Sequence, residues 1–337
     1  MDERLLAKCG FYCGCCPTYI GRGCKGCLEE HSEGDCYSRD CVLRKEILCC
    51  GECLNFPCET ILTRPRTTVL DKDWLQWKKG TKKNSNKEEL LFYNEYEEFY
   101  AMAEMSNAFR SFCRDAFGED FSQDGFSDVK QIDRILQYVP SKEKVHILDI
   151  GCGNGKMLGY LQKKTGACIH GFDYSEKAIR TACKLFPTDA EFREGVIGEI
   201  EYPAGSFDVI TSMDTMYFAK DMDVFVAQIY QWLREDGALF VGYQEGEVMP
   251  KTESADTTVL AMALKNNGIS YEVTDITEQT YELLRTKRIA AIAHRQEFEA
   301  EGHKNWYDML MAQTECATEP YDRFKEKMAR YIYVVRK

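Results

Sequence analysis

VHILDIGCGNGKMLGYL, residues 145–161, decides the fold. Its first six residues are apolar apart from His146 and Asp149, the length of a buried strand. Gly151, Gly153 and Gly155 then open a stretch with helical spacing. Glycines at alternate positions let a backbone approach a ligand closely, because no Cβ intervenes and positive φ costs little. The next apolar segment, ACIHGFD, ends in Asp173. An acidic side chain there can accept hydrogen bonds from both hydroxyls of an adenosine ribose.

Outward from this stretch, strand and helix patterns alternate. AEFREGV, FDVITSMD, ALFVGYQEG, ISYEVTDI and YIYVV read as further strands, with helices ending near Lys164, Phe186 and Leu233 and another at 258–267. Strands separated by helices specify a largely parallel sheet covered on both faces. Before the first strand, residues 88–136 read as helices interrupted by the loop FGEDFSQDGFSD, and 278–328 reads as two long charged helices.

The loop has the form D-x-G-x-G-x-G, whereas the dinucleotide fingerprint is G-x-G-x-x-G. Through ILDIGCGNG, GFDYS, AEFREG, FDVITSMD and LREDGALFV, in that order, residues 140–247 resemble the class I S-adenosylmethionine-dependent methyltransferases. The resemblance implies an α/β, Rossmann-like methyltransferase sheet with helical lid insertions, and S-adenosylmethionine as cofactor. Asp149 and the loop of Gly151, Cys152, Gly153, Asn154 and Gly155 would hold its methionine part, Asp173 its ribose, and Tyr174 its adenine. Many relatives place an Asp after the glycine of F-x-x-G-D; here FREG runs into Val196 and Ile197, whose backbone would then serve the adenine.

FDVITSMDTMYF brings Ser212, Met213, Asp214, Tyr217 and Phe218 to the carboxyl end of the sheet, where ligands of open α/β sheets bind. Asp214 reads as a substrate contact or base, or as a helix cap. SMDT replaces the N/P-P-[FY] pattern that marks methylation of nucleic-acid or amide nitrogens in relatives. Tyr93, Tyr96 and Tyr100 share one helical face and either pack as core or line the site as a surface for a cationic amine. Tyr93, Asp214 and Tyr217 are the catalytic candidates, and Gln123, Phe126 and His294 are lesser lid candidates. Cys152, Cys168 and Cys183 read as small packed residues.

Twelve of the 17 cysteines lie in the first 58 of the 337 residues. Cys13 and Cys16, Cys24 and Cys27, and Cys50 and Cys53 have C-x2-C spacing, which aims two thiolates of one tight turn at one ion. In a reducing compartment such a cluster reads as a metal site rather than a disulfide framework. Through CGFYCGCC, GCKGC, C-x4-C and CGECLNFPCE, residues 8–62 resemble a small cysteine-rich prokaryotic family of uncharacterised function described as zinc-binding. That resemblance implies Cys9, Cys13, Cys16, Cys24, Cys27, Cys36, Cys41, Cys50, Cys53 and Cys58 as the ligand set, with Cys15 and Cys49 extra. Zinc leads and an iron–sulfur cluster is the alternative, since thiolate sites accept both.

The expected organisation is a metal-stabilised cysteine-rich domain over 1–66, a linker over 67–87 and a methyltransferase domain over 88–337. The last comprises a helical lid at 88–136, a cofactor core at 140–247 and a helical insertion at 278–328. Trp74, Leu75 and Trp77 in the linker read as a docking segment. The net charge of −12 disfavours nucleic acid as a partner, because phosphate binding requires an excess of Lys and Arg. No apolar run approaches the ~18 residues of a membrane span and the first residues lack a signal-peptide core, so a cytoplasmic location is expected. The reading is methyl transfer to a small-molecule amine, oxygen or thiol. Its alternatives are a protein methyltransferase whose cysteine-rich domain recruits a protein partner, and a thiol or metalloid methyltransferase to which that domain delivers the acceptor.

Overall fold

The structure, a computed structural model, describes residues 7–8, 26–27, 36–47, 49–53, 55–56, 58, 90–246 and 249–337. The chain divides into two compact units, Met1–Leu90 and Leu91–Lys337. Cys9, Cys13, Cys15, Cys16, Cys24, Trp74, Leu75 and Trp77 lie outside the described residues.

In the first unit, helix α1 (Tyr37–Arg44) precedes a 3-10 turn at Cys50–Glu52. Val42 and Cys50 are buried, with Ile47, Phe56 and Cys58 packed around them. Among the described residues no group of three or more His, Cys, Asp or Glu side chains gathers to hold an ion.

The second unit is built on seven strands: β1 (His146–Ile150), β2 (Cys168–Asp173), β3 (Ala190–Glu194), β4 (Phe207–Met213), β5 (Leu233–Glu245), β6 (Tyr271–Asp275) and β7 (Ala329–Arg336). Their order in the sheet is β3-β2-β1-β4-β5-β7-β6. The first five pair in parallel, and β7 runs antiparallel to both β5 and β6. The carboxyl ends of β1 to β6 and the amino end of β7 therefore share one edge.

Alternate strand residues feed two cores, as the pleat requires. Ile147, Ile169, Val209, Phe240, Ile332 and Val334 face one, which holds Phe99, Phe109, Phe112 and Phe117 from helices α2 (Tyr93–Met105) and α3 (Asn107–Phe117). Leu148, Ile150, Phe172, Ile210, Leu239, Val241, Tyr333 and Val335 face the other. The short helix α4 (Val129–Asp133) lies between α3 and β1 in the chain. The strands are joined by α5 (Lys156–Thr165), α6 (Glu176–Leu185), α7 (Met222–Trp232) and α8 (Val259–Asn266). Ser175, Asp221 and Thr258 cap α6, α7 and α8 by accepting from the backbone N–H three residues on.

Two readings of the sequence change. Residues 278–328 form four helices, α9 (Thr277–Ala293), α10 (Arg295–Ala300), α11 (Lys304–Gln313) and α12 (Tyr321–Lys327), rather than two. Gly302, at φ 78°, and Pro320 interrupt the helical pattern there. β5 begins at Leu233, earlier than its apolar run, because a register shift between Phe207 and Val209 absorbs the polar REDG segment, with Asp236 at φ 61°. Among the described residues no helix is long and apolar enough to cross a membrane.

Gly171 on β2 shows how tightly the sheet meets the glycine loop that precedes α5. A Cβ there would stand 2.6 Å from Cys152 Sγ and 2.8 Å from Cys152 Cβ. Gly171→Ala is expected to cost about 1–3 kcal/mol through overpacking, read as a lower urea midpoint at unchanged slope.

Candidate functional site

The carboxyl edge of the sheet carries the site. Asp149, at the end of β1, is 4% exposed and accepts a hydrogen bond from Thr211 Oγ1 at 2.6 Å. Burial pushes its carboxyl up to about 7, against the lowering effect of the Thr211 bond and with a further upward push from Asp173. The chain then turns through Gly151, Gly153 and Gly155, all at positive φ, before α5 begins. Gly151 N–H and Cys152 N–H both donate to Phe172 O, at 2.9 and 3.0 Å, which stitches the loop to β2.

Asp173 holds the loop from the other side. One carboxylate oxygen accepts from Gly153 N–H and the other from Ser175 N–H, each at 2.9 Å. Burial raises its carboxyl to about 6, and the two backbone donors oppose that rise.

Glycine is required at two loop positions for reasons that can be stated in ångströms. A Cβ on Gly151 would lie 2.6 Å from Thr215 Cγ2. A Cβ on Gly153 would collide with the Tyr100 hydroxyl. Tyr100 therefore covers the loop. Burial, then the neighbouring Asp173 charge, pushes its hydroxyl well above the usual phenol range, so it stays protonated.

Helix α2 carries this cover. Tyr93 and Tyr96 meet Tyr174 edge to face, with ring centroids 5.6 and 6.1 Å apart, and Tyr96 stacks on Tyr100 at 6.2 Å. Phe218 approaches Tyr174 at 6.5 Å. Tyr93 and Tyr96 thus pack on Tyr174, and Tyr100 lies over Gly153 of the loop. Glu97, on the same face, accepts from Ser175 Oγ at 2.5 Å and Lys177 N–H at 3.2 Å, so it sits at the amino end of α6, where a negative charge is favoured. Tyr174 Oη donates to Leu91 O at 3.0 Å, and Lys184 pairs with Glu104 at 2.9 Å.

Asp214, at φ 60°, is bound into a different device. Arg330, fully buried at the start of β7, donates Nε–H to Asp214 Oδ1 at 2.9 Å and Nη2–H to Oδ2 at 2.7 Å. Its remaining N–H groups reach Ser127 Oγ (2.8 Å), Phe126 O (2.6 Å) and Gln131 Oε1 (2.5 Å). All five guanidinium donors are occupied. Both Asp214 oxygens are engaged, so its placement is that of a partner to Arg330 rather than of a base open to a substrate. Asp214 does not cap the following 3-10 turn at Met216–Phe218 either, since that place belongs to Thr215.

The other sequence candidates fall out as follows. Asn154 is buried and donates to Ser122 O at 3.0 Å, tying the glycine loop to the loop after α3. Ser212 Oγ pairs with Thr215 Oγ1 at 2.6 Å, and Thr215 Oγ1 donates to Ile150 O. Met213 is half-buried against the α2 and α3 core. Tyr217 packs on Phe218 at 5.0 Å and on Tyr243 at 6.1 Å. Ile197 is core, and the Val196 carbonyl accepts from Glu199 N–H. Phe126 gives its carbonyl to Arg330, Gln123 donates to Ser127 O within the same loop, and His294 pairs with Asp115 at 2.7 Å on the α9 and α3 contact. Cys152 is buried and Cys168 half-buried, but Cys183 is exposed on α6, because its helical position faces outward.

Sequence reading missed Arg330, Glu97, Thr211 and Thr215. Arg330 alone left a signal, a charge at the head of the apolar run YIYVV. A surface cavity lined by Lys251, Thr252, Glu253, Thr257 and Glu326 contains none of the glycine-loop residues. Tyr100 fills the space above Gly153.

Residues 148–241 match a family described as methyltransferase domain. Phosphoethanolamine N-methyltransferase 3 of Arabidopsis thaliana is 31% identical over 170 residues, covering 48% of this chain and 31% of that protein. Ubiquinone biosynthesis O-methyltransferase of Mesorhizobium japonicum is 35% identical over 103 residues, covering 29% of this chain and 41% of the other. The chain thus spans well under half the length of these curated relatives. Among solved structures, Haemonchus contortus phosphoethanolamine N-methyltransferase 2, in complex with phosphomonomethylethanolamine and S-adenosylhomocysteine, superposes with a TM-score of 0.57 at 20% identity. The match covers 72% of this chain and 60% of that one and shows a shared fold.

Asp173→Ala is expected to weaken S-adenosylhomocysteine binding at least about tenfold, read by titration calorimetry, since a buried charged acceptor is worth about 1.5–3 kcal/mol. In the wild type, affinity is expected to rise with pH between about 5 and 8. Both carboxyls have raised values, so their ionised, accepting forms become available only as pH passes about 6 and 7.

Proposed function

We propose that this chain, which carries a class I S-adenosylmethionine-dependent methyltransferase domain, transfers a methyl group to a small-molecule acceptor, an amine before an oxygen or a thiol. The observation that carries the reading is the Asp173 carboxylate, fixed by Gly153 N–H and Ser175 N–H beside a glycine loop on which no Cβ fits. In this reading Asp149, Cys152, Asn154 and the three loop glycines hold the methionine part of the cofactor, and Asp173 holds the ribose. Tyr174 with Val196 and Ile197 takes the adenine, and Ser212 and Met213 border the reacting methyl. Bound there, S-adenosylmethionine supplies a methyl carbon activated by a positively charged sulfur leaving group.

What remains for the chain is alignment and exclusion of water, which can contribute about 7–11 kcal/mol when the geometry is right. Helix α2 performs the exclusion by laying Tyr100 over the loop and Tyr93 and Tyr96 against Tyr174. The half-buried faces of Tyr93 and Tyr217 suit a cationic amine, which aromatic rings attract. The relatives named phosphoethanolamine N-methyltransferases favour an amine, and the O-methyltransferase keeps oxygen as the next choice. Asp214 contributes by pairing with Arg330, which holds the wall of the acceptor space.

Purified protein incubated with methyl-labelled S-adenosylmethionine and a fractionated cell extract is expected to place label in the metabolite fraction. Label in the protein fraction would contradict this function and favour recruitment of a protein through the cysteine-rich unit. Label on a thiol or metalloid would favour delivery through that unit.

We propose further that the first unit binds zinc through its thiolates. Support comes from the C-x2-C spacing of the sequence, from Gly26 at φ 77° beside Cys27, and from the hydrogen bond that Lys8 N–H donates to Cys27 Sγ at 3.3 Å. Lys45 Nζ also lies 3.2 Å from Cys53 Sγ. Donation from N–H groups stabilises thiolates, the form that binds metal. Elemental analysis of the full chain is expected to find one or two zinc ions per molecule, with iron and acid-labile sulfide as the contrary outcome.

A further inference from the structure

Among the described residues, the buried side-chain polar atoms without a partner are the Tyr243 hydroxyl, one oxygen of Gln313, and both the nitrogen and the oxygen of the Gln244 amide. Folded chains pair nearly all such atoms, and an amide buried with both ends unmatched is destabilising. Gln244 is 0% exposed. It lies one residue from the carboxyl end of β5, on the edge that carries the glycine loop and Asp173.

Register fixes the face on which it stands. Gln244 is directly opposite Arg330 across the β5 and β7 ladder, so the two side chains share a face of the sheet. Gly242 stands two residues earlier on that face, and a Cβ there would meet Met213 Cε at 2.9 Å and Arg330 Nη2 at 3.1 Å. The amide therefore belongs to the same neighbourhood as Met213 and the Asp214–Arg330 pair. Tyr243 points the other way, into the opposite core.

Arg330 explains why Gln244 has no partner in the protein. All five guanidinium donors are taken by Asp214, Ser127, Phe126 and Gln131, so none is left for the Gln244 oxygen. Both Asp214 oxygens are occupied in return. The clamp is closed on itself and electrically balanced, and beside it stands an amide with its hydrogen-bonding capacity unspent.

We propose that Gln244 anchors the methyl acceptor, its Nε2 donating to an oxygen and its Oε1 accepting from a hydroxyl or amine N–H. This inference rests on the methyl-transfer reading and sharpens it. The acceptor is a small polar molecule that presents a donor and an acceptor side by side to the amide, through an uncharged group, since the adjacent pair leaves no net charge to neutralise a free ion there.

The test compares wild type with Gln244→Leu in the full chain. Thermal midpoint without added small molecules is expected to rise by about 2–4 °C, because an unpaired buried amide is replaced by an apolar side chain of similar size. Affinity for S-adenosylhomocysteine is expected to stay within about twofold. Transfer of labelled methyl to the metabolite fraction of dilute extract is expected to fall about tenfold or more, and to recover as the extract is concentrated, the pattern of lost acceptor binding. A midpoint that falls, or a variant that does not fold, overturns the proposal by making the amide structural. Equal transfer by both proteins at every dilution overturns it alone. A wild type that transfers no label overturns the methyl-transfer reading, and this assignment with it.

Discussion

The Asp173 carboxylate is the joint on which this site turns. One oxygen takes the N–H of Gly153 in the glycine loop and the other takes the N–H of Ser175 at the head of α6. Ser175 in turn caps α6 with its hydroxyl oxygen while donating its proton to Glu97 of α2. A single buried carboxylate thus fixes the loop, the strand end and the helix start, and through Ser175 it registers the helix that covers them. The cost is visible in its raised carboxyl, which burial alone would drive higher without those backbone donors.

A second buried charge organises the far half of the same edge. Arg330 joins β7 to β4 through Asp214, and joins both to the segment 126–131 that enters α4. Removing one partner of such a pair strands an uncompensated charge, which is why pairs of this kind are retained even when they add little net stability. The aromatic cover and the arginine clamp both consist of groups whose hydrogen bonds and ring contacts are made within the chain.

Much of the fold was legible because short-range rules and long-range packing agreed. Five of the seven strands follow apolar runs while β3 and β6 alternate, and the glycine loop declares itself by spacing, since Gly151 and Gly153 admit no Cβ. Asp149 and Asp173 were readable as strand-end carboxylates. The role of Asp214 was not, because its partner lies 116 residues away and a local pattern carries no information about a β7 arginine. Glu97 was hidden for the same reason, its contacts being 78 and 80 residues distant. The helices between β6 and β7 were read as too few because Gly302 and Pro320 sit within otherwise continuous charged periodicity. For the cysteine-rich unit the thiol spacing is informative, but the pairing of ten candidate ligands depends on a chain path that spacing does not specify.

In the proposed reading, the glycine loop and the two strand-end carboxylates form one binding site for S-adenosylmethionine. The most direct measurement is a crystal structure of the full chain grown with S-adenosylhomocysteine. The account predicts the ribose hydroxyls within hydrogen-bond distance of Asp173 and the amino acid part of the ligand against Asp149 and Gly151. A ligand bound elsewhere on the chain, or one whose ribose makes no contact with Asp173, would contradict it.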